Sequence, residues 1–170
     1  MDEKRQQQIF NRWLAEHKGL LFKVVRAHAF NLADQDDLFQ EISLQLWKSI
    51  PGFRQDAAES TWIYRVALNT AIGWLRREKR QPEASQPLDT VEYTLSATEI
   101  RQDERLSWLY EAISQLNEID RSLTLLLLDG YSYREMAAIL GISESNVGVK
   151  INRIKKRLVQ QSKELTEHGV

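Results

Sequence analysis

The stretch Tyr131–Leu158, YSYREMAAILGISESNVGVKINRIKKRL, admits few conformations: two short helices meeting at a tight turn, the second of them basic. Ser132 followed three residues later by Glu135 forms a capping box, which satisfies backbone N–H groups orphaned at a helix start. Met136, Ala137, Ile139 and Leu140 supply an apolar face. Gly141 ends the helix where the chain must turn left-handed, a conformation glycine adopts without a Cβ clash. Ile142 plugs the turn, and Ser143 is the next N-cap. In the second helix Val147, Ile151, Ile154 and Leu158 recur at steps of four, three and four, which makes one buried stripe. At about 100° per residue, Ser145, Val149, Asn152, Arg153 and Lys156 fall on the opposite, outward face. Between 143 and 163 the one acid is Glu144, against Lys150, Arg153, Lys155, Lys156, Arg157 and Lys163. This is the pattern of a helix-turn-helix whose second helix suits a major groove. A solvated amphipathic helix carries similar charge, but cap, turn, stripe and basic face agree on the DNA-binding reading.

The rest of the chain narrows the chemistry. At 170 residues it holds one medium domain or two small ones. The absence of cysteine removes disulfides, thiolate metal sites and cysteine nucleophiles together. His17, His28 and His168 match no metal-ligand spacing, so neither metal nor cofactor is expected. No apolar run is long enough to span a bilayer and the start is unlike a signal peptide, so a cytoplasmic protein without membrane insertion is expected. The net charge of −1 hides a segregation. Bases cluster at 76–80 and 150–157, and acids between them limit non-specific binding.

Taken in order, residues 4–16 and 18–32 have helical periodicity, with Gly19 as the expected break. His28 falls on the apolar side with Leu21, Val24 and Val25, as a satisfied helix residue rather than a ligand. Asp34-Gln-Asp-Asp37 opens the next helix with acids where its dipole favours them. Leu38, Ile42, Leu46 and Ile50 form its buried stripe. Asp37, Gln40 and Glu41 share another face, which by itself reads as solvated surface. No base, metal ligand or oxyanion partner accompanies these acids, so no enzyme is expected. After Pro51-Gly52 and a polar loop, a helix runs from Trp62 to about Lys79, with Ile63, Val66, Thr70 and Trp74 able to face a core. Trp62, Arg65, Asn69 and Arg76 line another face, followed by Arg77, Lys79 and Arg80. An aromatic, an amide and arginines together suit stacking on unpaired bases and holding phosphates; Trp62 as a core residue is the competing reading. Residues 81–103 read as an acidic linker, flexible and poor in apolar side chains. Helical patterns resume at Leu106, Leu109, Ile113 and Leu116. Asn117-Glu-Ile-Asp120 then starts a helix whose Leu123–Leu128 run must be core. The tail frays after Leu165. The fold class is all-α, with two small helical domains at 1–80 and 104–166.

Three motifs in this order resemble the extracytoplasmic-function sigma factors of bacteria, and the resemblance spans about residues 6 to 160. Asp37-Leu-Phe-Gln-Glu41 with Leu46-Trp47 is similar to the family's polymerase-binding helix. Phe53-Arg54 followed by TWIYRVALNTAIGWLRREKR is similar to its promoter-melting segment, and LDGYSYREMAAILGIS with the basic helix to its upstream-element reader. The resemblance implies that Asp37, Gln40, Glu41 and Trp47 dock on the clamp helices of the largest subunit of core RNA polymerase. It implies that Phe53, Arg54, Trp62, Arg65, Asn69, Arg76, Arg77 and Arg80 serve the melted minus-ten element, where a non-template base is flipped into a pocket. Unstacking that base costs a few kcal/mol and stacking returns about 1–3. It implies that Ser145, Asn146, Val149, Lys150, Asn152, Arg153 and Lys156 meet the minus-thirty-five duplex. The linker would thread the polymerase cleft, and many relatives are restrained by an anti-sigma factor that grips both domains. One departure stands out: Gly148 and Val149 occupy positions where the family commonly has a basic residue and a serine. Val149 can meet a thymine methyl, whereas Gly148 offers no base contact.

Three functions compete at this level. The first is a sigma factor that gives core polymerase promoter recognition and opening. The second is an autonomous regulator that binds duplex DNA, and the third is a helical protein whose basic helices bind another protein. The first is favoured because a duplex reader has no need of an aromatic and an amide together on an exposed helix face.

Overall fold

The computed structural model describes residues 1–80 and 104–168; the linker expected at 81–103 lies outside them. Among the described residues the chain is helical throughout, in two separate units.

The first unit holds α1 (Glu3–Glu16), α2 (Lys18–His28), α3 (Leu32–Ser49) and α4 (Glu59–Arg80). The break between α1 and α2 falls at His17, not at Gly19. The His17 N–H still donates to the Trp13 carbonyl, and the next helix starts at once, with Leu21 N–H on the His17 carbonyl. Gly19 sits inside α2, where glycine costs about 1 kcal/mol relative to alanine and packing overrides it. α2 ends at His28, earlier than the pattern implied. The buried His28 ring bonds through Nδ1 to the Val24 carbonyl at 2.8 Å, a satisfied helix residue. Asn31 caps α3 by accepting from Asp34 N–H at 2.8 Å, so the helix begins before the acidic run. Leu38, Ile42, Leu46 and Ile50 are all buried, as the four-residue steps required. A 3-10 turn, Ile50–Gly52, redirects the chain towards α4.

α4 starts at Glu59, three residues before Trp62, because Glu59 is held in place from α1. The Arg12 guanidinium grips its two oxygens at 3.2 and 2.6 Å. Ile63, Tyr64, Ala67, Leu68, Ala71, Trp74 and Leu75 are buried, a wider stripe than expected. Val66 and Thr70 are only half-buried, on the side that faces α3.

The second unit holds α5 (Glu104–Ser114), α6 (Glu118–Leu128), α7 (Tyr133–Leu140) and α8 (Glu144–His168). Ile113 in α5 and Leu116 just after it reach the core, while Leu106 is exposed. Asn117 caps α6 by accepting from Asp120 N–H at 2.9 Å. Leu123, Leu125 and Leu126 are buried and Leu127 is half-buried, but Leu128, expected in the core, is exposed: it is the last residue of α6, beyond the stretch 120–126 that is enclosed on all sides. Arg121 is buried instead. It donates to the Leu116 and Ser114 carbonyls at 2.8 and 2.6 Å, occupying the end of α5 where the helix dipole favours a cation.

The capping box at Ser132 and Glu135 is present in both directions, at 3.0 and 3.1 Å. Gly141 is left-handed, with φ +68°. Ser143 accepts from Asn146 N–H at 3.1 Å and starts α8. Val147, Ile151 and Ile154 are fully buried and Leu158 half-buried. α8 continues to His168, beyond the expected fraying point.

Candidate functional site

In the first unit α3 and α4 diverge to leave an open groove of ≈ 630 Å³. Glu41, Trp62, Arg65, Asn69 and Arg77 line it together, so residues singled out on two helices share one surface. Trp62 is half-buried and its indole N–H donates to Ser49 Oγ at 3.2 Å, leaving the ring on the groove wall. The alternative that Trp62 is wholly core does not hold. Asn69 is exposed two helical turns on, its Nδ2 donating to the Arg65 carbonyl at 2.9 Å. Arg65 is exposed, and Arg77 forms an ion pair with Glu41 across the groove. The walls therefore offer an aromatic ring, an amide and cations at one opening, the group types that bind unpaired bases and phosphates. Gln45, Lys48, Ser49 and Gly73 also line it without having been picked out. Gln45 and Lys48 follow Glu41 on α3 at steps of four and three, so the helical spacing could have found them.

The remaining first-unit residues lie around this groove. Phe53 bridges two tryptophans, 5.5 Å from Trp13 edge-on and 5.5 Å from Trp62 at a tilt. Arg54 is exposed in the loop, beside Gln55 at φ +62°, a left-handed conformation uncommon for a non-glycine residue. Arg76 is exposed but does not line the groove, and the Arg80 side chain lies outside the description. Asp37 accepts from the Trp74 indole at 2.9 Å, and Gln40 donates to Asp36 at 3.1 Å. Trp47 is half-buried, edge-on to Phe10 at 5.5 Å, with its carbonyl accepting from Gln6 at 2.8 Å. Between them on α3, Leu44 is 50% exposed, an apolar residue on a polar face that periodicity alone passed over.

Glu59 anchors the start of α4. Burial pushes its carboxyl upward, but the hydrogen-bonded Arg12 guanidinium and the neighbouring His17 outweigh this and hold it below the usual 4.5. Glu16, His17 and Glu59 converge closely enough to hold an ion, but Arg12 already grips Glu59, which argues against a cation there.

In the second unit α8 exposes Ser145, Asn146, Val149, Asn152, Arg153 and Lys156, with Val149 66% exposed. Lys150 differs. It is half-buried and turned to α6, with Nζ 3.9 Å from Asp120 Oδ1. Arg153 reaches the same carboxylate at 3.1 Å. Gly148 lies under the Tyr133 ring, where an added Cβ would meet ring carbons at 3.8 and 3.9 Å.

Comparison with known proteins supplies the family. The family profile for sigma-70 region 2 matches residues 13–81, and that for sigma-70 region 4 matches residues 106–158. The chain is 29% identical over 152 residues to the ECF RNA polymerase sigma factor SigM of Mycobacterium tuberculosis, covering 89% of this chain and 76% of that one. It is 28% identical over 170 residues to the ECF RNA polymerase sigma-E factor of Escherichia coli, covering 92% and 87%. Among solved structures, the fold is similar to sigma factor RpoE of Bartonella quintana in complex with the anti-sigma factor NepR. That match has TM-score 0.68 at 19% identity over 92% of this chain and 98% of the other. It is also similar to CnrH bound to the cytosolic domain of CnrY, with TM-score 0.61 at 22% identity over 96% and 91%. With region 2 matched on the helices that build the groove and region 4 on those that present α8, the chain belongs to the ECF sigma factors of the sigma-70 family.

Proposed function

We propose that this sigma factor divides promoter recognition between its two units, residues 1–80 and 104–166. The exposed side of α3, through Asp37, Gln40, Glu41 and Trp47, engages the clamp helices of core RNA polymerase. The groove between α3 and α4 captures melted minus-ten bases, with Trp62 stacking, Asn69 hydrogen bonding and Arg65, Arg76, Arg77 and Arg80 holding phosphates. Phe53 and Arg54 shape the loop beside it. α8 reads the minus-thirty-five duplex through Ser145, Asn146, Val149 and Asn152, with Lys150, Arg153 and Lys156 supplying charge. The protein is a non-enzymatic subunit working in the cytoplasm; no described helix is long and apolar enough to cross a membrane. An anti-sigma factor restrains it; the similar RpoE forms a complex with the anti-sigma factor NepR, and the similar CnrH with the cytosolic domain of CnrY.

The observation that carries the reading is the convergence of Trp62, Arg65 and Asn69 on one open groove. The test is runoff transcription from a promoter pool with purified chain and core polymerase, against core alone. Promoter-specific transcripts only when both are present are the expected result. Sequence-specific duplex binding without any effect on core would instead favour an autonomous regulator.

A further inference from the structure

Two cations of α8 end on one carboxylate of α6. Asp120 is 4% exposed. Its Oδ2 accepts from Arg153 Nη2 at 3.1 Å and from Asn117 Nδ2 at 3.3 Å. Its Oδ1 is buried without a hydrogen bond and has only the Lys150 ammonium at 3.9 Å. A buried carboxylate with an unfilled acceptor is costly unless cations stay beside it. Lys150 and Arg153 are therefore held by the needs of Asp120, although the Arg153 side chain remains 58% exposed. Lys155 and Lys156 are exposed on the same helix and form no ion pair among the described residues.

These two classes of cation differ in what they do near DNA. A freely moving lysine neutralises any phosphate, which adds affinity for every sequence and steepens the dependence on salt. A guanidinium fixed at one nitrogen presents its remaining donors in one direction, and its contact becomes geometry-dependent. We infer that Asp120 is a positioning residue that sets sequence discrimination by α8: it withholds Lys150 and Arg153 from indiscriminate phosphate binding and aims Arg153. The inference rests on α8 being the duplex-facing helix.

The test uses the full chain assembled with core polymerase, and two duplexes: a random pool, and the sequence the wild-type assembly selects from that pool. Asp120→Asn keeps the shape and one acceptor oxygen but removes the charge that detains the cations. Random duplex should then bind about tenfold more tightly and the log–log salt slope should steepen by about one to two, one for each released cation. Discrimination between the two duplexes should fall correspondingly. Asp120→Glu should restore part of it, and in a Lys150→Gln/Arg153→Gln background Asp120→Asn should change neither slope nor discrimination. If Asp120→Asn does not fold, two surface pairs carry the comparison. Lys155→Gln/Lys156→Gln should flatten the salt slope by about two, and Lys150→Gln/Arg153→Gln by less than one. Unchanged slope and discrimination in a folded Asp120→Asn, or equal flattening by the two pairs, would overturn the role of Asp120 alone. A wild-type assembly whose selected sequence is unaffected by changes on α8 would overturn the reading of that helix as well.

Discussion

The Trp74 indole N–H donates to the Asp37 carboxylate at 2.9 Å, so the inner side of α4 is tied to a residue on the outer side of α3. One turn further along both helices, Arg77 repeats the tie with Glu41. The two acids assigned to polymerase docking thus also fix the spacing of the groove. A charge reversal at either would disturb both surfaces at once.

That coupling dictates how docking should be probed. Gln40→Ala and Leu44→Ala touch neither tie, and each should change stability by less than about 0.5 kcal/mol. Together they should weaken binding to core polymerase by about tenfold, measured by fluorescence anisotropy of labelled chain titrated with core. Trp74→Phe makes the opposite case. It should cost about 1 kcal/mol or more in thermal unfolding through the lost hydrogen bond and reduced packing. Unaltered core binding by the Gln40 and Leu44 pair would remove that face of α3 from the docking surface.

Asn69→Ala should leave the fold intact, because the side chain is exposed and its Nδ2 bonds back to its own helix. On a promoter carrying a pre-opened bubble, open-complex lifetime should still drop by about five- to thirty-fold, the equivalent of about 1–2 kcal/mol. Deleting the captured non-template base should erase the difference from wild type. A defect of the same size with and without that base would show that Asn69 acts through helix packing.

Gly148→Ala should stabilise the second unit by about 0.5–1 kcal/mol, since alanine is the better helix residue and Tyr133 leaves ordinary contact distance for a methyl group. Thermal unfolding followed by circular dichroism measures it. A loss of stability would mean that the Tyr133 ring needs the bare backbone beneath it.

The pH dependence of the first unit should carry the mark of Glu59. Its folded value lies below 4.5, so the folded state resists the proton more than the unfolded chain does. The stabilisation is complete above 4.5 and is lost as pH falls through the lower folded value. Melting temperature followed from neutral pH to about pH 3 should therefore fall less steeply in Glu59→Gln than in wild type. Parallel curves would detach Glu59 from the acid response.

Much of this architecture is legible in local sequence rules. The capping box, left-handed Gly141 and the stripe Val147, Ile151, Ile154 depend on neighbours within a few residues, and the folded chain has all three. Helix starts were less legible where a distant group sets them. Glu59 begins α4 because Arg12 reaches it from α1, and no pattern around residue 59 contains that fact. The same limit hid Asp120 and Arg121. Both look like ordinary first-turn polar residues, and only tertiary packing buries them against α8 and the end of α5. The groove was half legible: its α4 wall follows from i, i+3 and i+4 spacing, but its meeting with Glu41 requires two helices to be set side by side.

The bridge that Phe53 makes between Trp13 and Trp62 gives the protein a built-in optical reporter. Trp13 is sealed from water and Trp62 is half open, so the two indoles emit from different surroundings while sharing one intervening ring. A nucleobase stacked on Trp62 should quench the red-shifted share of the emission, whereas displacement of Phe53 should shift the blue share. With Trp47, Trp74 and Trp108 replaced by phenylalanine, both changes would be read from Trp13 and Trp62 alone without added dye.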